Sequence, residues 1–296
     1  MFMSNLIRII VFLALSPAFA IHAQETKQPA TNYAAPVDTT KSQTVKHELI
    51  LEAKLTDKGK AIEKGLLWRI FSARENSDGK LNAVGSGKGG TTSFSLPAGT
   101  YLIHASFGRA GATKRITLAR GGGHQTFVLN AGGLKLNAIA GNKKINHPKL
   151  RFSIYTPSEG DKSKPKAIAR NVSAGKIVRL NAGTYHIISE YGGINATVRA
   201  DLRVTAGQLT EATLQHRAAQ ITLKLVSEKG GEAIADTAWS IVSNQGEVVM
   251  ESNRTFPRTI WASGSYTALA RNGGEVFKRD FTVSAGANGD VEVLAK

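Results

Sequence analysis

Reactive side chains that could be gathered into a catalytic site are scarce in this sequence. Its seven histidines, at positions 22, 47, 104, 124, 147, 186 and 216, include no H-x-x-x-H or H-E-x-x-H pair, the spacing that turns two imidazoles toward one zinc ion. Cysteine is absent, which excludes disulfides, thiolate metal sites, a cysteine nucleophile and a lipid-modified N-terminal cysteine. The segment from Gly85 to Thr92 (GSGKGGTT) has the glycines and lysine of a phosphate loop. However, Asn82 stands where the first glycine belongs, and Gly89 stands where a Ser or Thr must follow Lys88. It reads instead as a hairpin tip, and Gly121 to Gly123 as a turn. No G-x-S-x-G elbow occurs, and carboxylates are too sparse in the basic regions to suggest the close acidic pair of a glycosidase. These residues point to no enzyme, no cofactor and no metal.

Charge is the chemistry that does stand out. Net charge is +16 over 296 residues, and it is unevenly placed. Residues 46–129 carry 13 Lys and Arg against 6 Asp and Glu, residues 130–215 carry 13 against 5, and residues 216–296 carry 9 against 9. The densest basic runs are Lys143, Lys144, Lys149 and Arg151, then Lys162, Lys164 and Lys166, all expected in loops. Such a surface attracts polyanions within roughly 8 Å at physiological salt. Anionic glycan, lipid or cell-wall polymer is the expected partner. Nucleic acid is unlikely, because few aromatics are interleaved with these cations to stack on bases. The competing reading is that the charge serves only solubility.

The elements that must position these residues are written three times. Leu96-Pro97-Ala98-Gly99-Thr100-Tyr101 returns as Leu180-Asn181-Ala182-Gly183-Thr184-Tyr185 and as Trp261-Ala262-Ser263-Gly264-Ser265-Tyr266, with the tyrosines 84 and 81 residues apart. A glycine follows each tyrosine by seven residues, at 108, 192 and 273, and a second follows at 121, 207 and 286. Upstream stand Trp68-Arg69-Ile70, Phe152-Ser153-Ile154 and Trp239-Ser240-Ile241. Period-two alternation opens each copy, as in Leu49, Leu51, Ala53 and Leu55, so each copy reads as about seven short strands of an antiparallel sandwich. Trp68, Phe152 and Trp239 are expected in equivalent core sites. The glycine before each tyrosine is expected at positive φ in a tight turn, and the tyrosine hydroxyl is expected to bond a loop.

Gly59-Lys60-Ala61-Ile62 leading to Trp68, Gly231-Glu232-Ala233-Ile234 leading to Trp239, and the phrase ending at Tyr101 resemble the carboxypeptidase regulatory-like, or prealbumin-like, β-sandwich modules. Copy two departs from that pattern at Asn146-His147-Pro148. The resemblance implies an all-β fold of three tandem Ig-like or prealbumin-like repeats. It also implies a structural, adhesive or carbohydrate-binding role in an exported protein, with no catalytic residue to carry over.

Arg8, the apolar run Ile9 to Ala20 and small residues at Ala18, Ala20 and Ala23 form the three-part pattern of a secretory signal peptide. The run is too short to span a bilayer comfortably, although an uncleaved anchor is the alternative. The expected organisation is a signal peptide at 1–23, a flexible linker at 24–45, and repeats at 46–130, 131–216 and 217–296. The expected function is non-catalytic attachment to anionic envelope surfaces, periplasmic or secreted, through repeats 1 and 2. The alternative is a scaffold that docks another exported protein through repeat 3.

Overall fold

The computed structural model describes residues 44–157 and 165–296. The signal-peptide reading, all but the last two residues of the linker, and Lys162 and Lys164 lie outside the described residues. Module 1 comprises β1 (Lys46–Lys54), β2 (Leu66–Glu75), β3 (Leu81–Gly89), β4 (Thr92–Pro97), β5 (Gly99–Phe107), β6 (Ala110–Leu118) and β7 (Gly123–Val128). These form two facing sheets ordered β4-β1-β7 and β3-β2-β5-β6.

Module 2 repeats the plan with β8 (Ala131–Ala140), β10 (Leu150–Tyr155), β11 (Ala167–Val172), β12 (Ile177–Asn181), β13 (Gly183–Tyr191), β14 (Thr197–Val204) and β15 (Leu209–His216), and adds the two-residue β9 (Lys143–Lys144). Module 3 comprises β16 (Ala218–Val226), β17 (Ala238–Ser243), β18 (Val248–Ser252), β19 (Arg258–Ala262), β20 (Gly264–Asn272), β21 (Glu275–Val283) and β22 (Gly289–Leu294). Its sheets are ordered β19-β16-β22 and β18-β17-β20-β21. Alternation places Leu49, Leu51 and Ala53 inside, and Trp68, Phe152 and Trp239 are buried at the same place in each core.

One pairing differs from a purely antiparallel sandwich. The first and last strands of every module run parallel, β1 with β7, β8 with β15 and β16 with β22. The chain therefore leaves each module in the direction it entered, and the next module follows at once. Only two residues separate β7 from β8, and only Arg217 separates β15 from β16.

Of the crossings between sheets in each module, the tightest passes through a single residue, Ala98, Ala182 or Ser263. The repeated tyrosine holds that corner. Tyr101 Oη donates to the Pro97 carbonyl at 2.7 Å, Tyr185 Oη to that of Asn181 at 2.8 Å, and Tyr266 Oη to that of Ala262 at 2.9 Å. Each bond contributes about 1 kcal/mol while its ring fills the core. The positive φ expected before the tyrosine occurs only at Gly183 (155°), because the corner residue, rather than the glycine, makes the bend. The glycines seven residues after the tyrosines do turn left-handed, with φ of 68°, 94° and 58° at Gly108, Gly192 and Gly273.

The Gly85–Thr92 reading also changes. Gly85 to Gly89 lie inside β3, with Gly87 opposite Trp68, and only Gly90 and Thr91 turn. The glycines make room for Phe94 of the facing sheet, since a Cβ at Gly87 would meet its ring at 2.9 Å.

The two module junctions use equivalent positions. At the first, Arg179 presses on Gly108, where an added Cβ would meet its Cβ at 3.0 Å, and its guanidinium lies 4.3 Å above the Phe107 ring. At the second, Ile260 takes the place of Arg179 and presses on Gly192 in the same way, at 2.9 Å. The cores interpenetrate: Ala131 packs into module 1, and Ala218 and Ile260 pack into module 2.

The polar link across each junction has switched sides. Asn181 of module 2 accepts from Gly111 N and donates to the Gly111 and Leu129 carbonyls. At the second junction the asparagine sits on the lower module, where Asn195 occupies the place of Gly111. It accepts from Ala262 N and donates to Tyr266 Oη, both at 2.8 Å. Asn195→Gly is expected to lower stability by about 1–2 kcal/mol and to speed hydrogen exchange at residues 217–219. Adding Ala262→Asn, which recreates the Gly111–Asn181 pair, should recover most of that loss, and a double variant no better protected than the single one would refute the equivalence.

Candidate functional site

The basic residues singled out in the sequence are distributed over module 2. Lys143 and Lys144 are exposed on β9, against Ala140 and Ile139 of β8. The turn that carries them touches module 3, since a Cβ at Gly141 would lie 3.2 Å from the Ala285 carbonyl. Arg151 is the second residue of β10 in the opposite sheet, half-buried, and its Nη1 donates to the Leu150 carbonyl at 2.8 Å. Lys166 is exposed at the β10–β11 hairpin, where its amide donates to Thr156 Oγ1 at 3.0 Å. These side chains share no single pocket.

Lys149 is placed differently. It lines a groove of about 330 Å³ along the second junction, with Gly193 on its own module and Met250, Glu251, Arg254 and Arg258 on module 3. Its carbonyl accepts from Gly192 N at 3.1 Å, which ties the loop to the turn that Ile260 covers. Among the described residues no carboxylate pairs with Lys149, Arg254 or Arg258. Three cations with one carboxylate, Glu251, make a site that favours an anion. Arg254 and Arg258 were missed in the sequence because module 3 is neutral overall. The local signal was there: an aromatic between two arginines in Arg254-Thr255-Phe256-Pro257-Arg258.

A buried polar cluster lies in module 2 near this groove. His216 is 1% exposed at the end of β15, and its Nε2 and Ser189 Oγ are 2.8 Å apart. Tyr191 packs edge-on against both His216 and His147, with centroids 5.8 Å away in each case. In module 1 the equivalent places hold Leu129 and Ala105, both buried. A hydrogen-bonded pair has thus replaced an apolar one at similar volume. Burial pushes His216 down to about 4, and burial together with Lys149 lowers His147. Among the described residues no three His, Asp or Glu side chains converge as a metal site would need.

Residues 220–295 match a protein family, the Rhizobiales growth-associated tandem repeat domain. The match covers module 3. No curated protein sequence matches the chain. Among solved structures, the Bacillus anthracis TIE protein aligns at 15% identity and a TM-score of 0.25, covering 85% of this chain and 50% of that one. The chain thus spans half the length of that protein. GBS52, the minor pilin of Streptococcus agalactiae, aligns at 14% identity and a TM-score of 0.28 over 57% of this chain and 95% of its own. BcpA, the major pilin subunit of Bacillus cereus, aligns at 9% identity and a TM-score of 0.23, over 85% of this chain and 100% of its own.

The His216 environment gives a pH prediction. Its folded value near 4 lies below the unfolded value of about 6.5, so the unfolded chain binds the extra proton. Stability should be full above pH 6.5, fall as pH drops from 6.5 to 4, and lose about 3 kcal/mol in all. His216→Leu combined with Ser189→Ala, the module 1 pair, should remove this part of the slope in urea unfolding followed from pH 7.5 to 4. An unchanged slope would contradict the assignment.

Proposed function

We propose that this protein is an exported, non-catalytic component of a bacterial envelope that attaches to anionic surfaces through the basic faces of modules 1 and 2. The observation that carries the reading is the charge division, with net +7 on residues 46–129, net +8 on residues 130–215 and zero beyond. The direct junctions add a mechanism. Two basic modules held in fixed relation meet an extended polyanion together, so the second contact forms at high effective concentration if the spacing matches. Lys143, Lys144, Lys149, Arg151 and Lys166 are the described residues assigned to this contact, and Lys162 and Lys164 complete the set from sequence. The prealbumin-like resemblance fits the parallel pairing of first and last strands and belongs to the same proposal. So do export by the N-terminal segment and residence in the periplasm or outside the cell.

A second reading assigns module 3 to another exported protein. It is favoured by exposed Val276 and Leu294 on the edge strands β21 and β22, where a partner strand could add.

Attachment is tested with the chain from residue 24 onward, by retention on polygalacturonate beads and by sedimentation with phosphatidylglycerol vesicles across a salt series. Binding should weaken steeply with salt. The triple variant Lys143→Ala, Lys144→Ala, Lys166→Ala should bind on the order of 100-fold more weakly at low salt, at about 1 kcal/mol per lysine near an anionic surface. Equal retention of the variant and the parent protein would overturn the assignment.

A further inference from the structure

Module 3 differs from the other two in the loop between its third and fourth strands. In module 1, Gly90 and Thr91 alone join β3 to β4, and in module 2, residues 173–176 join β11 to β12. In module 3 five residues, Asn253 to Pro257, join β18 to β19. The short module 1 loop is sealed against the core: Trp68 Nε1 donates to the Gly90 carbonyl at 3.0 Å, and a Cβ on Gly90 would fall 2.3 Å from the Glu63 carbonyl oxygen. The longer loop breaks that seal. Trp239 sits where Trp68 does and is 2% exposed, yet its indole N–H has no hydrogen-bond partner among the described residues. Phe256, at the tip, leaves 60% of its surface in solvent.

The loop stands between two grooves. One, of about 660 Å³, is lined by Lys224, Arg254, Phe256, Arg258 and Asp290, with Thr222 at its base. The other, of about 600 Å³, is lined by Trp239, Glu251 and Arg271, and Asn253 borders both. In the first groove Lys224 Nζ lies 2.6 Å from Asp290 Oδ2, so that lysine is already neutralised. Arg254 and Arg258 make no salt bridge with a carboxylate among the described residues, although Arg258 is near enough for its charge to help hold the Asp290 carboxyl below its ordinary value.

Each part narrows the ligand. Two unpaired guanidinium forks suit a carboxylate or a phosphate. An exposed aromatic face beside them favours a ligand with its own apolar face, as the C–H side of a pyranose ring has. An ionised aspartate held by Lys224 and Thr222 accepts hydroxyl donors and repels a compact dianion, while Asn253 and Thr255 supply the donors and acceptors that sugar hydroxyls need. We propose that the groove between Phe256, Arg254, Arg258 and Asp290 binds a carboxylated pyranose of an acidic oligosaccharide. The inference goes beyond the surface attachment proposed above, because none of its residues is among the lysines of modules 1 and 2.

The test is a calorimetric and NMR titration of the same chain with trigalacturonate, with maltotriose and inorganic phosphate as comparison probes. The expected result is saturable binding at one site that survives moderate salt. Phe256→Ala and Arg258→Ala should each weaken it at least 10-fold, Phe256→Tyr should retain it, and the indole N–H signal of Trp239 should shift on binding. Phe256 is exposed, so its substitution leaves the core intact. The Lys143, Lys144, Lys166 triple variant should bind trigalacturonate as the parent does, which separates this site from polymer and vesicle retention. No saturable binding, indifference to Phe256→Ala and Arg258→Ala, or phosphate binding as tight as trigalacturonate would each overturn the proposal.

Discussion

The structure depends on a corner that is turned in one residue. A sandwich of facing sheets needs its chain to cross between them more than once, and in each module the shortest of these crossings is made through Ala98, Ala182 or Ser263 alone. The tyrosine that follows makes this crossing stable by bonding the carbonyl four residues back. The same corner is also what the preceding module grips. Ala182 N donates to the Asn130 carbonyl, Ser263 N donates to the Arg217 carbonyl, and Tyr266 Oη both donates to Ala262 and accepts from Asn195. One feature therefore closes each module and fastens it to its neighbour. Because no linker intervenes, any loosening of the corner is felt on both sides of the junction.

Equivalent positions have been put to different uses without disturbing that frame. Arg179 and Ile260 both seat on a left-handed glycine, one by stacking on Phe107 and the other by entering the module 2 core. Gly111 and Asn181 at one junction face Asn195 and Ala262 at the other, with a single asparagine present in each pair. His216 and Ser189 stand where module 1 has Leu129 and Ala105. In each case the volume and the hydrogen-bonding requirement of the site are met, so side chains exchange while the backbone geometry stays. Pro97 of module 1 occupies the place of Asn181, and exposed Val276 of module 3 the place of Asn195.

The charge is layered over this frame differently from one module to the next. Lys143 and Lys144 are exposed on a small hairpin, and Lys166 is exposed beside β11. In module 3, equal numbers of acids and bases conceal a local arrangement, with Lys224 satisfied by Asp290 and two arginines left unpaired beside an exposed ring. Net charge describes long-range attraction, whereas a binding groove is decided by which charges are already paired.

The repeat, the all-β class, the buried Trp68, Phe152 and Trp239 and the inward tyrosine ring are legible in the amino-acid order alone, whereas the tyrosine hydroxyl bonds the last carbonyl of the preceding strand where a loop was expected. The legible features follow from period-two alternation and from a phrase written three times, and both are local properties. The glycine before the tyrosine and the glycines of β3 play other parts than expected, because the sheet-to-sheet crossing in the first case and the Phe94 ring of the facing sheet in the second are set by how the two sheets stack. The parallel closing strands, the junctions and the groove beside Phe256 were decided only by the tertiary structure. Each joins residues that are far apart in the chain, such as Asn181 with Gly111 or Thr222 with Asp290. Pattern and spacing report which way a side chain faces within its own strand, but the partner it meets is set by how the sheets and modules stack.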